Sequence, residues 1–90
     1  MNVKNPSIFY KFSGPHSVAG YWTTTQVTID FSDVVSAITS IKEIRLVNNS
    51  SYISYTNLSF SGTTVSLTLK NAADAAFSAT VFVSINGIPK

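Results

Sequence analysis

The sequence predicts an all-β protein, either a compact antiparallel β-sandwich or a small barrel, with about seven strands and one short helix. The main observation is that residues 58–88 alternate apolar with small polar residues almost without a break. This period of two places every second side chain on one face of a sheet, so one face is buried and the other carries hydroxyl groups. Turn residues also recur at short spacing. Residues 1–90 are expected to form one β domain, because domains usually contain about 50 to 250 residues.

The first third of the chain contains two or three predicted strands. Residues 7–12 predict a first strand that is rich in aromatic side chains. Residues 13–16 include a Gly-Pro pair and are expected to form a loop or turn. Residues 18–24 are either a strand or an irregular arm, because a glycine and a run of threonines obscure the alternation. Residues 26–31 predict a clearer strand. Its apolar residues share one face: Val27, Ile29 and Phe31.

The segment after residue 31 contains the only predicted helix. Ser32 or Asp33 can cap the first free N–H groups of a helix. The apolar residues that follow have roughly helical spacing: Val34, Val35, Ile38 and Ile41. Because Val, Ile and Thr are poor helix formers, we expect at most one or two turns. Residues 41–47 then predict a strand with Ile44 and Leu46 facing inward.

The remaining elements are strands separated by short turns. Residues 52–60 predict a strand with a bulge near Thr56 and Asn57, because the alternation slips between Tyr55 and Leu58. Three further segments complete the prediction after a turn at residues 61–64: a strand over residues 65–69, a turn over residues 71–76 and a strand over residues 77–85.

Charge is sparse and evenly distributed. Six Lys or Arg and four Asp or Glu give a net charge of +2, and the basic residues are scattered. Nucleic-acid-binding proteins concentrate basic residues on one face, so no nucleic-acid partner is expected. Serine and threonine together number 24, and asparagine adds seven. Such a weakly charged surface has little electrostatic protection against association, which favours a protein that contacts other protein or sugar.

The chain has no covalent or metal support for its fold. It contains no cysteine and no Cys/His cluster that could hold a structural zinc. A short domain without such support gains from neighbouring subunits, which favours a homo-oligomer. There is no apolar signal-peptide core and no run of roughly 18 apolar residues. We therefore expect a soluble chain with no membrane partner, made in the cytoplasm and kept without conventional secretion.

Catalytic groups are hard to assemble from these residues. The single histidine, His16, lies beside a Gly-Pro pair, and no serine occupies a nucleophile-elbow motif. Asp30 and Asp33 are the only close carboxylates, and helix capping or turn hydrogen bonds account for both. No phosphate-binding or dinucleotide motif is present. We therefore expect neither enzymatic activity nor a cofactor or metal ion.

The aromatic residues are the best candidates for a functional site. Tyr10, Tyr21 and Trp22 are predicted to contact partner subunits, because Tyr and Trp combine a large apolar face with a polar tip. The alternative is a saccharide-stacking platform formed by five residues: His16, Tyr21, Trp22, Tyr52 and Tyr55. A simpler interpretation is that Trp22 and the phenylalanines fill the small core.

Four strand-like runs resemble the small β-sandwich modules of tailed-phage virions: residues 27–31, 44–48, 65–71 and 77–83. The absence of cysteine and the abundance of Ser, Thr and Asn are also similar to that group. The resemblance implies a non-enzymatic virion structural protein, either a capsid decoration protein or a tail component, that assembles with other virion subunits through aromatic and β-edge contacts. The alternative function is a carbohydrate-binding or receptor-binding adhesin module that recognises a cell-surface glycan.

Overall fold

The computed structural model describes residues 5–47 and 51–90, which form six β-strands and no helix. The strands are β1 (Ser7–Val18), β2 (Thr24–Asp30), β3 (Val35–Val47), β4 (Ile53–Ser61), β5 (Thr64–Asn71) and β6 (Phe77–Pro89). The all-β prediction is confirmed, although the described residues contain six strands rather than about seven. No helix in these two ranges could cross a membrane.

The strands form two antiparallel three-stranded sheets. Sheet A has the order β1-β6-β3, and sheet B has the order β2-β5-β4. The central strands β5 and β6 have the most regular alternation in the sequence. Alternate residues of both are buried, as a central strand with one core face requires. The predicted strands over residues 65–69 and 77–85 are therefore confirmed, and β6 continues to Pro89.

The inner faces of the two sheets share one hydrophobic core. Each of the central strands contributes a row of residues with no exposed surface: Val65, Leu67 and Leu69 from β5, and Ala79, Val81, Val83 and Ile85 from β6. Val27, Ile29 and Phe31 join this core, as predicted. The molecule measures 57 × 20 × 17 Å, with a radius of gyration of 14.5 Å. A compact domain of this length would have a radius of about 12 Å, so the protein is elongated along its strands.

The structure corrects the loop that was predicted at residues 13–16. Strand β1 continues through this segment, with a register shift between Ser13 and His16 and a cis peptide bond between Gly14 and Pro15. The Gly-Pro pair therefore forms an irregularity within one long strand, as glycine and proline often do at sheet edges. The segment predicted at residues 18–24 is not a seventh strand: Val18 ends β1, Thr24 begins β2, and residues 19–23 form the loop between them.

The structure does not contain the helix predicted after Ser32. Residues 32–34 form a turn, and β3 begins at Val35. The misleading spacing has a physical cause, because β3 has three register shifts against β6. Each shift adds one residue, so its core-facing residues recur every three positions: Val35, Ile38, Ile41 and Ile44. A strand with regularly repeated bulges therefore has a nearly helical apolar pattern.

Two local predictions in the second half are confirmed. Strand β4 shifts register against β5 between Thr56 and Ser59, and Asn57 has a φ of 55°. This is the bulge that the slipped alternation predicted. Strands β4 and β5 are joined by a two-residue turn in which Gly62 has a φ of 61°. Glycine adopts this conformation without the steric cost that a side chain would add.

Candidate functional site

One end of the molecule, which we call the tip, consists of residues 19–23 and 72–76 together with Tyr52 and Phe77. Two consecutive aromatic residues in the first loop, Tyr21 and Trp22, have φ angles of 63° and 67°. Bulky side chains rarely adopt this left-handed conformation, and it persists only where surrounding contacts impose it. Those contacts are backbone hydrogen bonds from Tyr21 N to Ala73 O (2.6 Å) and from Trp22 N to Asn71 O (2.9 Å).

Asn71 holds the two loops of the tip together. Its side chain is fully buried and makes three hydrogen bonds to backbone groups. Its Nδ2 donates to the carbonyl oxygens of Val18 (3.0 Å) and Ala75 (2.8 Å). Its Oδ1 accepts a bond from the N–H of Ala73 (2.9 Å). Since buried polar groups must be paired, this one amide fixes the end of β1 against the loop that precedes β6.

The loops also touch directly at Gly20. A Cβ at this position would lie 2.7 Å from the backbone nitrogen of Ala75 and 2.9 Å from the carbonyl carbon of Asp74. No real side chain fits at such distances from backbone atoms, so only glycine permits this close approach. Tyr21 and Trp22 therefore project from a loop whose backbone packs directly against residues 73–75.

The aromatic side chains of the tip face solvent. Tyr21 is 77% exposed and Trp22 is 64% exposed. The ammonium group of Lys70 lies 5.1 Å from the centre of a Trp22 ring, a cation–π contact that restrains the indole. Tyr52 stacks on Phe77, with ring centres 6.2 Å apart and an angle of 14° between the planes. The tip thus presents an apolar surface in a fixed arrangement.

A second aromatic surface, which we call the strip, lies on the outer face of sheet A. It consists of Ile8, Tyr10 and Phe12 from β1, Phe82 from β6 and Arg45 from β3. The register places Phe12 opposite Phe82, and Phe82 opposite Arg45. The ring centres of Phe12 and Phe82 are 5.1 Å apart, and those of Tyr10 and Phe82 are 5.7 Å apart. The Arg45 guanidinium carbon lies 4.8 Å from the centre of the Phe82 ring.

The outer face of sheet B has the opposite character. Its cross-strand rows carry hydroxyl, amide and one ammonium group: Thr28-Ser66-Ser59, Gln26-Thr68-Thr56 and Thr24-Lys70-Ser54. The last of these rows lies nearest the tip, where Lys70 contacts Trp22. The hydroxyl-covered face predicted from the alternation is therefore found on sheet B, whereas the corresponding positions on part of sheet A are aromatic.

The predicted partner-binding residues occupy two places. Tyr21 and Trp22 lie together at the tip, whereas Tyr10 lies in the strip and is 64% exposed. The interpretation of Trp22 as a core residue is wrong, because the core consists of aliphatic residues and Phe31.

The five residues of the predicted saccharide platform do not form one surface. His16 belongs to β1, where its Nε2 lies 2.8 Å from the Ser13 hydroxyl. Tyr55 lies on β4 opposite Leu69, on the core side of sheet B and 40% exposed. Trp22 lies on the other side of sheet B from Tyr55, because its ring contacts Lys70, which belongs to the outer face of that sheet. Only Tyr21, Trp22 and Tyr52 are part of the tip.

The carboxylates at the other end of β2 stabilise a turn. Asp30 accepts hydrogen bonds from the Ser32 N–H (2.8 Å), the Ser32 hydroxyl (2.9 Å) and the Thr63 hydroxyl (3.1 Å). These bonds, that from the Ser32 backbone first, lower the pKa of Asp30 below its usual value. The Lys11 ammonium bonds to Asp33 at 2.7 Å and lowers the pKa of that carboxyl group. Turn hydrogen bonding therefore accounts for Asp30, as the sequence indicated.

Several residues of both surfaces were not predicted. Phe82 stands between Val81 and Val83, where apolar residues on both faces obscure the alternation, and Phe12, between Lys11 and Ser13, was grouped with the phenylalanines of the expected core. Lys70 and Arg45 were interpreted as scattered charges, although each lies over an aromatic ring. The pairing of the strands would have identified these contacts, because the register places Arg45 beside Phe82. Alternation in the sequence does not reveal which strands pair.

The described part of the chain contains no pocket and no group of three or more residues that could ligate a metal ion. The surfaces that remain are the tip, the strip and the hydroxyl-covered face of sheet B. Comparison with known proteins identifies no relative, since no family model, curated protein or solved structure matches the chain.

Proposed function

We propose that this protein is a non-enzymatic structural subunit that assembles with other protein chains, of the kind found as capsid decoration or tail components of phage virions. The observation that carries the proposal is the exposure of Tyr10, Tyr21 and Trp22, each at least 64% accessible to solvent. These residues belong to two separate apolar surfaces, the strip and the tip, and exposed apolar surfaces are characteristic of contact sites on soluble proteins. Aromatic side chains are also the residues most enriched where protein partners meet.

The fold supports the same proposal. The structure has two three-stranded antiparallel sheets that share one core. We propose that they form a small β-sandwich, the kind of module that the sequence resembles. The two aromatic surfaces lie on different parts of the molecule, so one subunit can contact more than one neighbour. A subunit of an extended assembly needs two contact surfaces, because each copy must bind a neighbour on at least two sides unless the contacts close into a ring or a dimer.

The test is the solution mass of the purified chain, measured by light scattering coupled to size exclusion over a range of concentrations. We expect a multiple of 9.7 kDa. Tyr10→Ala, Tyr21→Ala and Trp22→Ala should each shift the distribution towards smaller species with little change in melting temperature, since these side chains lie outside the core. Leu58→Ala is the matched control, because Leu58 is an exposed apolar residue that belongs to neither surface.

Two results would contradict the proposed function. One is a chain that stays monomeric at every concentration and binds no other virion subunit. The other is loss of folding in all three variants, which would show that the aromatic residues stabilise the domain and do not serve a partner. Circular dichroism on the same samples separates loss of folding from loss of assembly.

A second function, binding of a cell-surface glycan by an adhesin module, is favoured by the position of Trp22. The indole contacts Lys70, and Lys70 lies in a cross-strand row with Thr24 and Ser54. An aromatic ring bordered by hydroxyl groups and an ammonium group offers stacking and hydrogen bonding to a sugar. The surface differs from the predicted platform, since it includes neither His16 nor Tyr55.

Trp22 is the only tryptophan, so its fluorescence reports on this surface without interference. A titration with purified bacterial cell-surface oligosaccharides should give a saturable change if the glycan function holds. Thr24→Val should weaken that binding, whereas Thr28→Val, two rows farther from Trp22, should leave it unchanged. A flat titration with every oligosaccharide would exclude the glycan function and leave assembly as the use of the tip.

A further inference from the structure

We propose that the strip is a self-association surface on which a second copy of this chain packs its own sheet A, face to face. The inference rests on the proposed assembly function and names the partner of one of its two surfaces. It concerns Ile8, Tyr10 and Phe12 of β1, Phe82 of β6, and the charged pair Glu43 and Arg45 of β3. The tip and sheet B take no part in it.

The first argument is the extent of apolar exposure on β1. Ile8, Tyr10 and Phe12 are alternate residues on the outer face, and their exposed fractions are 57%, 64% and 60%. An outer face that meets only water carries polar residues, as sheet B does with its rows of Ser, Thr and Gln. The strip therefore has the apolar composition of a core-facing surface, although it lies on the outer face of sheet A.

The second argument is that the strip is already ordered. Phe82 contacts Tyr10, Phe12 and Arg45, and Tyr10 meets Phe12 edge to face with ring centres 6.2 Å apart. Side chains that are fixed before binding lose little conformational entropy when a partner covers them. An ordered layer of aromatic rings on a sheet suits sheet-on-sheet packing, in which side chains of two faces interdigitate at a separation of about 10 Å.

The third argument identifies the partner as a second copy. Glu43 lies beside Arg45 of the strip, with Arg45 Nε 3.6 Å from Glu43 Oε2, and both side chains are about half exposed. A two-fold rotation brings a surface against itself, so a surface with one charge of each sign can pair each charge with its opposite in the other copy. A surface of one sign would repel its own copy, whereas Glu43 and Arg45 carry opposite charges.

The size of the face is also sufficient. Strands of 12 and 13 residues make sheet A about 43 Å long, and three strands make it about 14 Å wide. The outline is therefore about 600 Å², which equals the area that each partner buries at the lower end of the standard interface size, about 1,200 Å² in total.

The test compares strip variants with a control of matched chemistry. Tyr10→Ser and Phe12→Ser should each raise the dimer dissociation constant by about tenfold or more, as loss of a central aromatic residue does in protein interfaces. Tyr55→Ser removes an aromatic residue of another strand and should leave the dimer unchanged. Sedimentation equilibrium gives the dissociation constants, and thermal unfolding shows whether each variant is folded.

Charge variants test the same surface without removing apolar contacts. Arg45→Glu places a second acid beside Glu43 in each copy, so dimerisation should weaken and should weaken more at low salt. Combining Glu43→Lys with Arg45→Glu reverses both charges and should restore the dimer. Arg45 is exposed, with its side chain 58% accessible, so these variants remain informative even if the aromatic substitutions reduce stability.

Two outcomes would overturn the inference. The first is a complex whose dissociation constant is unaffected by Tyr10→Ser, Phe12→Ser and Arg45→Glu. If Trp22→Ala dissociates that complex, the assembly function stands and the strip is not the contact. The second is a wild-type chain that is monomeric at all concentrations, in which case the strip binds no second copy. If another virion protein then protects Tyr10 and Phe12, assembly still holds, with a different partner.

Discussion

Asn71 is the residue on which the geometry of the tip depends. It follows the last buried leucine of β5, and its side chain faces the core although it is polar. A buried amide is costly unless all of its groups are paired, and here Nδ2 and Oδ1 both have backbone partners. The same residue accepts from Trp22 N through its own carbonyl oxygen and donates to Thr23 O. One residue therefore positions Trp22 and closes the adjacent loop.

We expect Asn71→Ala to lower the free energy of unfolding by about 3 kcal/mol, because it leaves two carbonyl groups and one N–H group without partners. That is a large part of the total stability of a domain of this size. Urea unfolding monitored by the fluorescence of Trp22 measures the change. Asn86→Ala is the control, since the Asn86 side chain makes one exposed bond to Ser40 and its loss should cost less than about 1 kcal/mol. Equal effects of the two substitutions would contradict the role of Asn71.

At the scale of elements, the turn between β2 and β3 is stabilised by Asp30. Its pKa is lowered in the folded state, chiefly by the Ser32 N–H bond, relative to a usual value of 3.8. A carboxyl group with a lowered folded-state pKa contributes stability above its unfolded pKa, and that contribution is lost as the pH falls through the folded pKa. The urea midpoint should therefore fall between about pH 5 and pH 2.

Asp30→Asn should reduce this pH dependence, because the variant has no carboxylate to protonate at the turn, and it should be less stable than the wild type at neutral pH. Urea midpoints measured at intervals across that range test the expectation. Asp74→Asn is the matched control, since the Asp74 carboxylate makes no hydrogen bond in the described part of the chain and lies in an exposed loop. An unchanged pH profile in Asp30→Asn would exclude the carboxylate as the group responsible.

The elements also show which features sequence can predict. The strands around Leu67 and Val83 and the bulge at Asn57 were predictable, because their signals lie within a few neighbouring residues. Strand β3 was partly misread, because three bulges give its core residues a spacing of three. The tip was not predictable in detail, because Asn71 bonds to Val18, which is 53 positions away.

The strip depends on register in the same way. Tyr10 was predicted as a contact residue, but its neighbours Phe82 and Arg45 come from strands that are far away in sequence. Alternation shows that a strand exists and which residues share its face, but it does not show which strand lies beside it. Single residues of a surface can therefore be predicted from sequence, whereas the surface itself requires the pairing of strands.

For the whole molecule, the two aromatic surfaces predict assemblies of different shape. The protein is 57 Å long and at most 20 Å across. Phe82 is the sixth of thirteen residues in β6, so the strip lies near the middle of sheet A, whereas Trp22 lies at one end of the molecule. Contact through the strip stacks two molecules side by side, and contact between two tips joins them end to end.

Small-angle X-ray scattering of the dimer distinguishes these shapes. If copies pack through the strip, the maximum dimension should stay close to that of the monomer, while the cross-section grows because the facing sheets stack about 10 Å apart. If copies pack tip to tip, the maximum dimension should approach twice the monomer length. Trp22→Ala should leave a strip dimer unchanged, which provides the control. A long, thin dimer that Trp22→Ala dissociates would assign assembly to the tip, because only an end of the molecule can extend it without thickening it.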